Sequence, residues 1–242
     1  MEKLKVYLCC SATLLCVFLF GGLLYTAFGD GESVRVSAEN VTLPVVVIDA
    51  GHGGEDSGAV ANGLLEKDIN LSIALMLRDM LTAGGYQVVM TRDTDISIFD
   101  SSASTTREKK VSDLKNRTKI INNSKNQILV SIHQNKFEQS QYFGTQMFYS
   151  KNNPKSAVLA DELRKSVTGL LQPDNKRELK PADSNIYILD QAQVPAVIVE
   201  CGFLSNEEEA KKLSDKDYQQ KMAFAICGGI MGYTNRCSVQ NT

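Results

Sequence analysis

The chain has no tryptophan, only two histidines and only five prolines among 242 residues, and its 26 basic side chains fall short of its 28 acidic ones. Each shortage excludes something. Without a surplus of Lys and Arg, binding to nucleic acid through phosphate neutralisation is not supported. Without Trp, and with aromatics at 7%, a sugar-stacking platform that holds glycan without turning it over is disfavoured. With two imidazoles in the chain, any imidazole chemistry falls to His52 and His133. Three of the six cysteines, Cys9, Cys10 and Cys16, sit in an apolar leader. The other three, Cys201, Cys227 and Cys237, form an odd set that implies no disulfide framework, and no CxxC pair suggests a zinc ribbon. The 43% hydrophobic content over this length suffices to close one α/β domain without staples.

Lys3 and Lys5 precede an uncharged stretch, residues 6–28. Such a stretch is long enough to cross a bilayer at about 20 residues per span, and Ala27-Phe28-Gly29 also suits a cleavage site. Residues 1–29 therefore read as a signal peptide or a membrane anchor, and the sequence fits both. No Leu-x-small-Cys pattern precedes the leader cysteines, so a lipoprotein signal is not supported. The basic start points that end inward and places residues 30–242 outside the membrane. Glu2, Lys3 and Lys5 belong to the leader, so the remainder is mildly acidic, with 27 acids against 24 bases. Residues 30–43 are a polar spacer, 44–236 the folded domain, and 237–242 a tail.

From Pro44 the hydrophobic pattern alternates between strand and helix periods. Residues 45–49 (VVVID), 86–91, 128–132 (ILVSI), 145–149, 186–189 and 196–199 (AVIV) predict strands. Ile69, Ile73, Leu77, Met80 and Leu81 form one helical stripe over 68–83, and further helices are predicted at 112–123, 156–171 and 217–233. Residues 93–110, rich in Ser, Thr and charge, read as an exposed loop at the rim of a site. This alternation predicts a single α/β domain whose largely parallel, twisted sheet carries helices on both faces.

Open sheets of this kind place their sites at the carboxyl ends of the strands. Three strands here run into chemically competent residues: VVVIDAGHGG brings His52, ILVSIHQN brings His133, and AVIVECGF brings Glu200. A lone histidine at a strand end is usually just hydrogen-bonded, but both histidines of the chain at one sheet edge is a different matter. Gly51, Gly53 and Gly54 let the backbone turn sharply around His52. The run lacks GxGxxG and GK[ST], so it is no phosphate loop. Glu66 opens the next helix, either as a plain helix-start charge or as a cleft-facing ligand. Two imidazoles and a carboxylate with an open fourth position are the donor type of catalytic zinc. Glu200, behind an apolar run, has surroundings that raise its pKa, which suits a base toward water.

DAGHGGEDSGA, Glu66 at the next helix start, VSIHQN and PAVIVECGFLSN resemble, in order and spacing, the zinc-dependent N-acetylmuramoyl-L-alanine amidases of the Amidase_3 family, over nearly all of residues 44–233. The resemblance implies a zinc-exopeptidase-like fold, one zinc ion on His52, Glu66 and His133, Glu200 as catalytic glutamate, and Asn135 near the substrate. It also implies hydrolysis of the amide between the lactyl group of muramic acid and L-alanine in peptidoglycan. The short construction looks most like the germination-specific, spore-cortex members of a Gram-positive spore-former, in which stem removal prepares muramic acid for conversion to muramic-δ-lactam. Gln134, Lys136 and Phe137 stand where the family commonly has small residues, so the local cleft is expected to differ. The eleven residues 134–144 are too few for the inhibitory helix some relatives carry. With neither that plug nor a wall-binding domain, an activating envelope protein or lipoprotein is the expected partner.

Other readings are a cysteine hydrolase on Cys201, a glycosidase on Glu66 and Glu200, and a non-catalytic envelope-binding protein.

Overall fold

The structure is a computed structural model and describes residues 43–239; residues 1–42 and 240–242 lie outside the described residues. The expectations of a signal or anchor at 1–29 and of a spacer over most of 30–43 therefore concern residues not described. Among the described residues, no helix is long and apolar enough to cross a membrane.

Among the described residues eight strands form, β1 (Val45–Ala50), β2 (Val60–Ala61), β3 (Leu64–Leu65), β4 (Val88–Met90), β5 (Gln127–Asn135), β6 (Gln146–Tyr149), β7 (Lys180–Pro181) and β8 (Ala196–Phe203). The helices are α1 (Glu66–Ala83), α2 (Thr106–Ile121), α3 (Lys155–Leu170), α4 (Tyr187–Gln191), α5 (Glu207–Ser214) and α6 (Lys216–Val239). Six strands make one sheet in the order β4-β1-β5-β8-β6-β7. The β4–β1, β1–β5, β5–β8 and β6–β7 pairs are parallel and only β6–β8 is antiparallel, so the expected largely parallel sheet is present.

Strand alternation divides the core. Val46, Ile48, Val130, Ile132, Val197 and Val199 face α1, α3 and α6, which supply Ile73, Leu77, Leu159, Leu163, Met222 and Ile226. Val47, Leu129 and Ile198 face the other way, onto Ile121 of α2 and Ile188 and Leu189 of α4. Ile69, Ile73, Leu77 and Leu81 of the α1 stripe are buried, while Met80 is half-buried. Truncating a fully enclosed member such as Leu77 to Ala costs about 2–5 kcal/mol.

Four sequence expectations change. Residues 186–189 are not a strand: Tyr187–Gln191 form the single-turn helix α4, whose Ile188 and Leu189 fill the second core. The rim loop ends earlier than 110, because Thr105 caps α2 through a capping box with Glu108. Helix α5, capped by the Asn206 side chain on Glu209 N, forms where the sequence pattern predicts no element and buries Ala210 and Leu213. His133, Asn135 and Glu200 lie within the last residues of β5 and β8 instead of beyond them.

The second core is the shorter one. It covers the sheet only toward the amino ends of the parallel strands, and the carboxyl ends on that face carry polar side chains. Register partners share a face. Asp49 pairs with Ser131, and His133 with Glu200. Asn135 pairs with Phe203, and Gln146 with Glu200. The β8 bulge, three residues against two between the His133 and Asn135 registers, turns Phe203 to the same side as Glu200. These residues line a cleft across the sheet.

Candidate metal centre and active site

The β1 end of the cleft is built around a buried charge. Asp49 is fully buried and accepts from Thr91 Oγ1 (2.7 Å), Ser131 Oγ (2.6 Å) and Arg117 Nη1 (2.7 Å). Burial opposes ionisation of Asp49, but Arg117 and these hydroxyls outweigh it and hold its pKa at about 2. Arg117, only 2% exposed, also donates to Ala50 O and to His52 O, each at 2.8 Å, and pairs with Asp113 at 2.7 Å. Arg92 grips the same turn from the other side, donating to Ala50 O at 2.8 Å and to Gly51 O at 3.0 Å. Two guanidinium groups thus pin the carbonyls of the turn on which His52 sits with φ of 61°.

On this support His52, Glu66 and His133 converge. His133 Nδ1 lies 2.8 Å from Glu66 Oε1, and His52 Nε2 lies 3.3 Å from Glu66 Oε2. The two rings meet edge to face with centroids 5.0 Å apart. One ligand atom from each residue falls within 4.8 Å of the others. Glu66 is 3% exposed and accepts further from Ala59 N (2.7 Å), Gln134 N (3.1 Å) and Asn70 Nδ2 (3.3 Å). Burial works against its charge, yet the two imidazoles and their hydrogen bonds keep Glu66 far below the usual carboxylate range. The far nitrogen of His52, Nδ1, is held by Asp56 Oδ2 at 2.9 Å.

The set fits a divalent metal. Its donors are imidazole and carboxylate, three in number on one side, and the outer nitrogen of His52 is fixed by a carboxylate, an arrangement that sets ring orientation in metal sites. The surroundings are shaped to it: a Cβ on Gly58, whose φ is 65°, would lie 2.6 Å from both Glu66 Oε2 and His52 Cδ2, and one on Gly51 would collide with the His133 ring. Burial disfavours charge on His52, but Asp56 and Glu66 push its pKa up to about 9. A cation among these donors would replace that proton.

Glu200 stands beside His133 in register and differs from Glu66 in its hydrogen bonding. Its Oε2 is buried with no hydrogen-bond partner among the described residues. Burial raises its pKa, His133 and His52 oppose and Glu66 assists, with a balance of about 7. A carboxylate near neutrality with a bare oxygen can accept and release a proton.

The site brings together His52, Glu66, His133 and Glu200, and Asn135 shares their face, with Oδ1 taken up by Lys136 N at 2.9 Å. Gln134 is buried on the opposite side and donates to Asn70 Oδ1 at 3.2 Å, while Lys136 reaches Val60 O at 3.0 Å, so of the three unusual neighbours Phe137 alone joins the cleft rim, against Phe203. Cys201 is fully buried in the first core, out of reach of substrate, and burial drives its thiol far above the usual range, so it offers no thiolate nucleophile. Glu66 is also no half of a glycosidase pair, because it is buried with both oxygens taken, Oε1 by His133 and Gln134 N and Oε2 by His52 and Ala59 N. Sequence reasoning missed Asp49, Asp56, Arg92 and Arg117; only Asp49, an acid inside an apolar strand, announced that a buried partner had to exist.

Residues 46–231 match the Amidase_3 family, N-acetylmuramoyl-L-alanine amidase. The chain is 33% identical over 210 residues to the germination-specific N-acetylmuramoyl-L-alanine amidase of Bacillus subtilis, covering 85% of this chain and 86% of the relative. The CwlD amidase of Clostridioides difficile, solved in complex with the GerS lipoprotein, is 44% identical with a TM-score of 0.76, covering 79% of this chain and 98% of that one. The catalytic domain of CwlV, an N-acetylmuramoyl-L-alanine amidase of Bacillus (Paenibacillus) polymyxa, is 32% identical with a TM-score of 0.66, covering 80% and 99%. The sheet, the family match and these relatives agree: the chain belongs to the Amidase_3 family and is an N-acetylmuramoyl-L-alanine amidase acting on peptidoglycan.

Proposed function

We propose that this amidase is zinc-dependent and strips stem peptides from muramic acid in spore cortex, as the step that prepares muramic acid for muramic-δ-lactam formation. In this reading His52, Glu66 and His133 hold one zinc ion, Glu200 moves the proton and Asn135 contacts substrate. The carrying observation is the bare, buried Oε2 of Glu200 next to three converged donors.

When bound, zinc supplies a Lewis acid that polarises the scissile carbonyl and acidifies the attacking water. Glu200 accepts the water proton and passes it to the departing α-amino group of L-alanine, leaving the lactyl carboxylate on muramic acid. Glu66 stays ionised, because His133 and His52 hold it so. Asp56 keeps the Nε2 of His52 turned to the site by engaging Nδ1.

The cortex role draws support from the likeness to the germination-specific Bacillus amidase. Residues 1–29 are proposed to direct export, as a cleaved signal or a retained anchor, with residues 44–236 as the catalytic domain facing the wall. A lipoprotein partner is proposed because the relative at 44% identity is in complex with one, and because a mildly acidic domain has no electrostatic attraction to an anionic wall. Chelation is expected to abolish release of L-alanine-bearing peptides from purified cortex, and added zinc to restore it. Full activity of the metal-stripped protein would contradict the mechanism. Cortex of a deletion strain is expected to lack muramic-δ-lactam.

A further inference from the structure

Across the cleft from His52, several cations, Arg177, Lys176 and Lys180, have no carboxylate partner among the described residues. Arg177 forms no ion pair with a carboxylate among the described residues, whereas Lys109 and Lys110, at the other end of the cleft, are engaged by Glu55 (2.8 Å) and Asp56 (3.5 Å). Its guanidinium is nonetheless held in place. It lies over the ring of Phe203 at 4.5 Å and over Tyr142 at 5.8 Å, and Nε donates to Phe143 O at 2.7 Å. Nη1 reaches Gln146 Oε1 at 3.4 Å, and Nη2 has no hydrogen-bond partner among the described residues. Gln146 and Phe203 both lie on the cleft face, and Gln146 is the register partner of Glu200. A hollow of about 320 Å³, whose lining includes Tyr142, Phe143, Asp174, Asn175, Lys176 and Arg177, opens beside it.

We propose that Arg177 is a substrate-binding residue that selects the stem peptide by its free α-carboxylate on the acidic residue following L-alanine. The inference rests on the amidase reading above. A planar guanidinium stacked on an aromatic ring at the cleft face, with no carboxylate partner among the described residues, is suited to receive a carboxylate through two parallel hydrogen bonds. The spacing agrees. Neighbouring strands lie about 4.8 Å apart, so Arg177, just beyond Gln146, stands one to two peptide residues from Glu200 at roughly 3.5 Å per residue. With Arg177 in that role, the stem peptide crosses β8 and β6 toward β7 and the glycan takes the His52 side of the cleft.

The test uses two synthetic muramoyl tripeptides, identical except that the second residue carries a free α-carboxylate in one and an α-amide in the other. The wild-type protein is expected to favour the acid by about 10- to 100-fold in kcat/KM, the range of a charge-assisted contact, mostly through KM. Arg177→Gln is expected to bring that ratio to within about twofold of one, and Arg177→Lys to retain part of it. A wild-type ratio near one, or an unchanged ratio in Arg177→Gln, overturns the proposal. Binding of both peptides to Glu200→Gln, measured by calorimetry, reads the same discrimination without turnover. Should the wild type cleave neither peptide, the amidase mechanism fails while the binding ratio still decides the role of Arg177.

Discussion

The two ends of the cleft are built on opposite principles. At the β1 end, Asp49, Arg117, Arg92, Asp56 and Glu66 satisfy one another so fully that the turn carrying His52 has one arrangement. At the β8 end, Glu200 is left with a buried oxygen that has no hydrogen-bond partner among the described residues. Burial is common to both; hydrogen bonding separates them. Glu66, with donors on both oxygens, is driven toward permanent charge, and Glu200, without them, toward neutrality at physiological pH. The proposed roles need this difference: a metal ligand must not titrate and must not move, and a proton carrier must do the first and have room for the second.

The sharpest way to separate these ends is to remove one group from each. His133→Ala is expected to lose both bound zinc and activity, by more than about 10⁴-fold, whereas Glu200→Gln retains one zinc per chain and loses about 10²- to 10⁴-fold in kcat. Metal analysis beside turnover reads both, and equal zinc content in the two variants would erase the distinction. Arg117→Met strikes the rigid end. It strands the buried Asp49 charge and is expected to cost about 3–5 kcal/mol of stability by denaturant unfolding, with Asp49→Asn on top recovering part of the loss. Asp56→Asn acts more gently, weakening zinc affinity by about 10- to 100-fold in chelator competition with the fold intact.

A further effect is on pH dependence. In the metal-free protein the pKa of Glu200 is raised from 4.5 to about 7, so folding favours its protonated form. That contribution is fully present below 4.5 and is lost as pH rises through 7, at most about 3 kcal/mol. Thermal unfolding of metal-free wild type against Glu200→Gln across pH 4 to 8 isolates it, because His52 loses its own contribution in both proteins on the way to about pH 9. A wild-type Tm that does not fall relative to the variant contradicts the burial argument for Glu200.

How much of this the sequence carried follows the same division. His52, His133 and Glu200 were visible because each follows an apolar strand run, and Glu66 because a helix pattern begins at it. The supporting residues were not. Arg117 reads as one more charge on a polar helix, yet it is among the largest fully buried side chains of the fold, a fact set by a partner 68 positions away. Arg177 sits in a charged stretch that looks solvated until β8 bulges and turns Phe203 beneath it. The misread residues 186–189 show the other limit: a four-residue apolar run has no period, and here a single helical turn buries it as well as a strand would.

Mass spectrometry of muropeptides tests the central claim most directly, comparing cortex peptidoglycan treated with wild type, with chelated wild type and with Glu200→Gln. Wild type with zinc is expected to yield muramic acid without stem peptide, together with free peptides beginning at L-alanine, and the other two samples neither. New reducing sugar ends, or the same peptides released by the metal-stripped protein or by Glu200→Gln at the wild-type rate, would contradict it.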